Sequence, residues 1–487
     1  MGFKMITMVV AIFVKSILVD TCGNEVNGLN ALYLSIIGFL SVAELGVGSA
    51  ITFCMYRPIV EGDNKTVSAL YHLFRKLYLL IGAIIFIGGL AVMPFLPLLA
   101  KDYAKLDVNM YVTFLLMLIS VTATYLFSSK TSLINAYKNN YITTSISQGC
   151  LVLQYVLQIL VLYLTRSFVA YLICRIVATM VHWGLTEIVT RRKYDPIVSA
   201  KGALDHEVKN AVKKNIKAMF MHKIGYVLVN TVDSVIISAF VGIVSLGEYS
   251  NYTMVLSSLT GILTLIFTSL TSVIGHLCVE EDAETSRKYC ETFHLLNFMI
   301  GTIFFLGYYA VIDSLIAVLF SPDLIIDKSV SFVITLNGFV QFMRRSTLTF
   351  KDATGTFYQD RWKPLIEGVT NIILSIILVK IIGVAGVIAA TIITNLAICH
   401  TVEPYVLFKN AFNSSPKKFY LTHYGMILLF AGVLIALTYC LQDIDNRWIE
   451  LLLNGFISLG MSAVVCGFIA LIKKTQAKQL MRMFKKG

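Results

Sequence analysis

Residues 81–92 read Ile81-Gly-Ala-Ile-Ile-Phe-Ile-Gly-Gly-Leu-Ala-Val92, and residues 300–311 read Ile300-Gly-Thr-Ile-Phe-Phe-Leu-Gly-Tyr-Tyr-Ala-Val311. Seven of the twelve positions are identical at an offset of 219 residues. The same offset brings Gln148-Gly149 onto Glu367-Gly368, and a shift of 218 brings Lys15-Ser16 onto Asp233-Ser234. One such match arises by chance in apolar sequence; several at nearly one spacing argue for an internal duplication. Both copies of the motif are uncharged from end to end, so the repeated unit is built from apolar helices.

Composition says what solvent those helices face. Of 487 residues 57% are hydrophobic and 14% charged, against roughly 25% charged in a soluble domain. A mean hydropathy of +0.77 asks for a larger core than soluble domains build, since those stop growing near roughly 250 to 300 residues. Lipid is therefore the expected solvent, and a soluble enzyme is excluded. Disorder and collagen-like repeats fall by the same arithmetic, with 12% aromatics and only 31 Gly and 8 Pro. The nine cysteines form no CxxC pair and no Cys/His ligand spacing, so they read as small buried apolar residues rather than a disulfide or metal framework.

Runs long enough to cross about 30 Å of hydrocarbon, roughly 17 to 25 residues each, fall near 3–19, 29–53, 76–99, 109–129, 143–165, 167–190, 216–241, 250–278, 293–320, 330–350, 364–382, 386–408, 421–441 and 449–472. The fold class read from them is an all-α integral membrane protein of about fourteen transmembrane helices. A net charge of +12 would suit a nucleic-acid binder, but its placement speaks for membrane orientation. With a cytoplasmic N-terminus, 30 Lys and Arg lie inside and 6 outside, the other four falling within or at the start of spans. That bias puts both termini in the cytoplasm. The first run is kept as a span because Lys15 interrupts it and no small-residue cleavage pattern follows.

Six spans separate equivalent positions of the repeat, so the two halves share one orientation. Parallel repeats related by an axis along the membrane normal are a transporter architecture, with the binding site between them. The expected organisation is an N-lobe over 1–190, a basic cytoplasmic linker over 191–215, a C-lobe over 216–412, and spans thirteen and fourteen with a basic tail over 413–487. The tail, with Lys473, Lys474, Lys478, Arg482, Lys485 and Lys486 around Leu480 and Phe484, reads as an amphipathic helix lying on the membrane surface.

Charges inside the spans are the functional signal, because an ionised group at mid-bilayer costs roughly 2.5 to 3.5 kcal/mol even on the lenient scale. On span seven His222, Lys223, Tyr226, Asn230 and Asp233 share an arc of about 100°. On span six Arg175, Thr179, His182 and Thr186 share about 60°. Gln148, Gln154, Tyr155 and Gln158 group more loosely on span five, and Glu44 sits in span two. Single Ser, Thr and Gln residues read as helix-to-helix hydrogen bonds. Lys15, Arg175, Lys223, Asp233 and Glu44 point instead to a water-filled cavity. Lys15 and Asp233, as repeat equivalents, are its best pair; the alternative is a salt bridge that holds one conformation closed. His182 and His222 have a ring pKa suited to proton shuttling, against a packing role. Arg344 and Arg345 read as snorkelling to the interface near the end of span ten, or as contacts for an anionic headgroup. No P-loop, GxSxG, HExxH or dinucleotide fingerprint occurs, which disfavours an ATP-driven pump.

The stretches Gly23-Asn-Glu-Val-Asn-Gly-Leu-Asn30, Phe39-Leu-Ser-Val-Ala-Glu-Leu-Gly-Val-Gly48 and Met55-Tyr-Arg-Pro-Ile59 resemble the start of bacterial polysaccharide repeat-unit flippases. These form the Wzx-type branch of the multidrug/oligosaccharidyl-lipid/polysaccharide (MOP) exporter superfamily. The resemblance implies a fold of two six-helix lobes plus an extra pair in the bacterial cytoplasmic membrane. Its implied activity is flipping of undecaprenyl-pyrophosphate-linked oligosaccharide from the cytoplasmic to the outer leaflet, beside polysaccharide polymerase and glycosyltransferases. Lys15, Arg175 and Lys223 then become contacts for the pyrophosphate, and Tyr226 and Asn230 contacts for sugar hydroxyls. No cofactor is implied. Each negative charge moved outward gains roughly 2.3 kcal/mol per 100 mV, and proton or sodium coupling through Asp233 or Glu44 is equally compatible. A lipid II flippase, a drug antiporter of the same superfamily and a membrane scaffold of a polysaccharide synthase complex are the rival readings.

Overall fold

Several of the long apolar helices begin just after a side chain that satisfies the first free amides. Asp63 accepts from the Thr66 amide at 3.0 Å, Asn109 from Tyr111 and Val112, Asp282 from Thr285 at 2.7 Å, and Asn446 from Trp448 and Ile449. Such caps close the orphan donors that a helix start leaves open. The Thr66 and Thr285 hydrogen bonds hold the Asp63 and Asp282 carboxyls below the usual carboxylate range. In the computed structural model, which describes residues 2–44, 47–103, 106–200, 212, 231–356 and 359–486, these helices account for nearly the whole fold, and no strand occurs among the described residues.

The chain divides into two compact units, Met1–Gly247 and Glu248–Gly487. The first contains α1 (Gly2–Cys22), α2 (Asn24–Leu40), α3 (Val47–Glu61), α4 (Asn64–Val92), α5 (Met110–Thr122), α6 (Tyr125–Ala136), α7 (Asn140–Thr165) and α8 (Phe168–Ser199). The boundary falls inside α9 (Ile243–Glu280). The second unit continues with α10 (Ala283–Leu319), α11 (Lys328–Met343), α12 (Arg345–Thr354), α13 (Lys363–Thr394), α14 (His400–Asn410), α15 (Lys417–Cys440), α16 (Arg447–Ile472) and α17 (Lys474–Lys486). Each expected span falls mostly on helix among the described residues, with residues 45 and 46 of the second and 216–230 of the seventh lying outside them. Among the described residues, eight helical stretches are long and apolar enough to cross a membrane.

The α13 helix is two helices in sequence. At Ile382 and Gly383 the backbone leaves helical geometry, with Gly383 at φ 59 and ψ −136. Asn371 Nδ2 then donates to Thr391 Oγ1 at 2.9 Å across 20 residues. The chain has reversed, and the expected spans eleven and twelve are the two arms.

The duplicated motif does one job in both units. A Cβ on Gly82 would stand 3.1 Å from Tyr125 Cβ, and one on Gly301 would stand 2.9 Å from Phe342 Cδ1. The second residue of each copy is thus the point where an aromatic-bearing helix presses against the repeated one. In the second unit this contact opens onto an aromatic core, in which Phe339 stacks on Phe430 with centroids 3.6 Å apart.

The outer helix faces are apolar rather than charged: Leu164 is 82% exposed, Leu428 72% and Tyr439 85%. Water would leave that surface unsolvated, so the protein is a multi-pass membrane protein whose helices meet lipid. The α17 tail is helical as expected, and Thr292 of α10 donates to its Gln479 at 2.9 Å.

Candidate functional site

In the first unit, Glu44 closes the short turn Ser41–Glu44 that follows α2. Its carboxylate accepts from Tyr78 of α4 at 3.2 Å and from Tyr125 of α6 at 2.7 Å. Two phenols on neighbouring helices therefore hold one half-buried carboxylate, and charge-assisted bonds of this kind are the strong ones. No cation among the described residues pairs with it.

Arg175 lies on α8 beside the phenols of Tyr171 and Tyr155. Half-buried, its guanidinium makes no ion pair with any described residue. The rest of that helix face is satisfied locally. Thr179 donates to the Arg175 carbonyl at 2.9 Å, and the His182 ring packs on Phe127 with centroids 4.4 Å apart. The glutamines of α7 join helices: Thr7 donates to Gln148 at 3.0 Å, while Gln154 donates to Gln158, which donates to the Tyr171 carbonyl, both at 3.3 Å. Arg175 is left as the charge on this face with tyrosines beside it and, among the described residues, no anion paired with it.

Lys15 on α1 and Asp233 in the helical stretch after residue 230 are half-buried, and each is engaged in a polar or electrostatic interaction within the protein. His222, Lys223, Tyr226 and Asn230 lie outside the described residues. An apolar pocket of about 250 Å³ in the same unit is bordered by Ile36, Phe39, Leu40, Val92, Leu99 and Val235.

The second unit holds a cluster that reading the sequence missed. Arg344, at the break between α11 and α12, turns inward instead of snorkelling. Its Nε and Nη2 donate to Glu403 at 3.1 and 2.6 Å, and its Nη1 donates to Asn395 Oδ1 at 2.7 Å. Lys363 also bonds Glu403, and Glu367 lies 3.8 Å from both cations. Two positive and two negative groups cancel, and Glu403 is 1% exposed. Neutrality is what makes such a cluster tolerable away from water. The neighbouring Arg345 donates to Thr264 at 2.9 Å. The available signals were Glu403, an acid inside an apolar run, and the helical i,i+4 pair of Lys363 and Glu367. No group of three or more His, Cys, Asp or Glu among the described residues is placed to hold a metal ion.

No protein-family model and no curated protein matches this chain. Solved structures do. An inward-facing multidrug-resistance MATE transporter of the MOP superfamily superposes with a TM-score of 0.63 at 14% identity, covering 83% of this chain and 94% of its own. The lipid II flippase MurJ, in an inward closed conformation, gives 0.61 at 16% identity and covers 96% of this chain and 98% of its own. A further MATE multidrug transporter, DinF-BH, gives 0.57 at 15% identity over 85% of this chain and 94% of its own. The chain has the helical membrane fold of MATE and MurJ transporters.

Proposed function

We propose that the protein is a flippase that carries undecaprenyl-pyrophosphate-linked oligosaccharide repeat units from the cytoplasmic to the outer leaflet, by alternating access of two lobes. The observation that carries this reading is Arg175, a guanidinium within an apolar helix with no described counter-ion and two tyrosines beside it. A pyrophosphate supplies the missing charge and accepts bidentate hydrogen bonds from a planar guanidinium. Tyrosine faces and hydroxyls suit a sugar, and the apolar pocket of α2 and α4 suits part of an isoprenoid chain. Lys15 and Lys223 are the further phosphate contacts in this reading, and Glu44 or Asp233 is the coupling or gating group. The bacterial cytoplasmic membrane, with both termini inside, is its setting.

Coverage favours a lipid-linked cargo over a drug. The likeness to MurJ extends over 96% of this chain, whereas that to the MATE transporters stops at 83% and 85%. The same observation makes a lipid II-type substrate the second reading. Replacing Lys15, Arg175 and Lys223 singly by Ala, with expression verified, tests the site. Surface polysaccharide falls in at least the Arg175 variant if the assignment holds, and unchanged polysaccharide in all three overturns it.

A further inference from the structure

Three histidines of the second unit form one hydrogen-bonded line. His294 of α10 bonds through Nδ1 to Ser346 Oγ at 2.7 Å and through Nε2 to His423 Nδ1 at 3.1 Å. His423 of α15 bonds through Nε2 to His400 Nδ1 at 2.5 Å. All three residues are 1% exposed. At the far end, His400 Nε2 is buried and has no hydrogen-bond partner. An open nitrogen closing an otherwise satisfied chain calls for an explanation, because buried polar atoms are ordinarily paired.

The near end meets a polar pocket of about 270 Å³, lined by Arg287, Glu291, His294, Lys418, Thr422 and Lys473. Lys418 is exposed, so solvent reaches the pocket. The far end lies against the ion cluster, since His400 and Glu403 stand one turn apart on α14. A purely packing role accounts for the Phe419 ring, 4.7 Å from His294 and 5.5 Å from His423. It does not account for two rings, His294 and His423, that use both nitrogens, each time with another imidazole or a hydroxyl.

We propose that His294, His423 and His400 are a proton wire from this pocket to the buried Arg344–Lys363–Glu403 cluster. A neutral imidazole carries one N–H and one bare nitrogen. With all three protons on Nε2, a proton taken up at His294 Nδ1 from solvent in the pocket lets the Nε2 proton of His294 pass to His423 Nδ1. The Nε2 proton of His423 passes to His400 Nδ1, and the Nε2 proton of His400 passes to the Glu403 carboxylate once the two side chains, one turn apart on α14, close the hydrogen bond that His400 Nε2 leaves open. One proton enters at His294 and one ends on Glu403 as its neutral acid, and each ring ends neutral with its proton on Nδ1. Reverse passage or ring rotation resets the line.

No ring has to keep a positive charge, which matters given what faces them. Lys473 faces His294, Glu403 faces His423, and Arg344 with Glu403 faces His400. A proton delivered to Glu403 would cancel the charge that Arg344 and Lys363 share and so loosen the cluster. The use of that proton, coupling to transport, rests on the flippase reading; the wire itself does not.

The test is nitrogen-15 NMR of the intact purified chain, labelled at its eight histidines, read as wild type, His423→Phe and His423→Gln. The wild type is expected to show His294 and His400 ring nitrogens averaged between bare and protonated positions. Both variants, the glutamine keeping hydrogen bonds but unable to relay, are expected to lose that averaging and show one fixed tautomer at each remaining ring. Fixed tautomers in the wild type, identical to those in His423→Gln, overturn the wire whatever the protein transports. Averaging that persists in His423→Gln overturns it too, because the line is then not the route.

Discussion

Replacing Glu403 by Gln removes one negative charge and leaves Arg344, Lys363 and Glu367 with a net positive charge in a buried place. The guanidinium keeps an acceptor for only one of its 3.1 and 2.6 Å hydrogen bonds and meets an amide NH2 in place of the other, and Lys363 loses its nearest carboxylate. Breaking a buried pair by removing one partner costs about 3 to 5 kcal/mol. For a cooperative unit of this size each kcal/mol moves the midpoint by roughly 2 to 4 °C, so Glu403→Gln melts roughly 6 to 20 °C below wild type. The assay is a thermal melt of the detergent-purified protein followed by fluorescence. A double variant, Glu403→Gln with Lys363→Met, restores neutrality and recovers a large part of the loss. A single variant that melts within about 1 °C of wild type, or a double variant worse than the single, refutes the claim that charge balance holds these helices together.

Gly28→Ala tests the crossing of α2 with the start of α9: a Cβ there would lie 2.0 Å from the Ile243 carbonyl oxygen, and one on Gly247 would lie 2.5 Å from the Asn24 carbonyl oxygen. Either alanine costs about 1 to 3 kcal/mol of overpacking or more, seen as a lower melting point and a broadened size-exclusion peak; wild-type behaviour in both contradicts the geometry. Tyr125→Phe removes the 2.7 Å hydrogen bond to Glu44 and costs about 1.5 to 3 kcal/mol, measured by the same melt, with no loss counting against a charge-assisted bond there. Arg175→Ala breaks no described ion pair, so its melting point stays at or above wild type while transport falls; a large drop in melting point assigns Arg175 to structure instead.

The spans were legible because hydropathy sums over twenty residues, and the repeated motif was legible because the glycine at its second position stands close to an aromatic side chain in both copies, Gly82 to Tyr125 and Gly301 to Phe342. Glu44 was legible as a charge inside a span, but its tyrosine partners, 34 and 81 residues away in sequence, were not. The ion cluster was harder still. Arg344 and Glu403 are 59 residues apart and Lys363 and Glu403 are 40 apart, and Arg344 read as snorkelling because it sits at a helix end. The three-histidine line hid for the same reason, since α10, α14 and α15 each contribute one ring. His182 and Gln148 went the other way: both found the packing and hydrogen-bonding partners that ordinary helix contacts supply.

The most direct measurement is flipping itself. Purified protein is placed in vesicles that carry undecaprenyl-pyrophosphate oligosaccharide in both leaflets, and a glycosidase added outside reads how much sugar becomes accessible with time. Wild-type protein is predicted to raise accessibility from one leaflet's share toward the whole, with Arg175→Ala close to protein-free vesicles. Wild-type vesicles that never exceed the protein-free level would contradict the account.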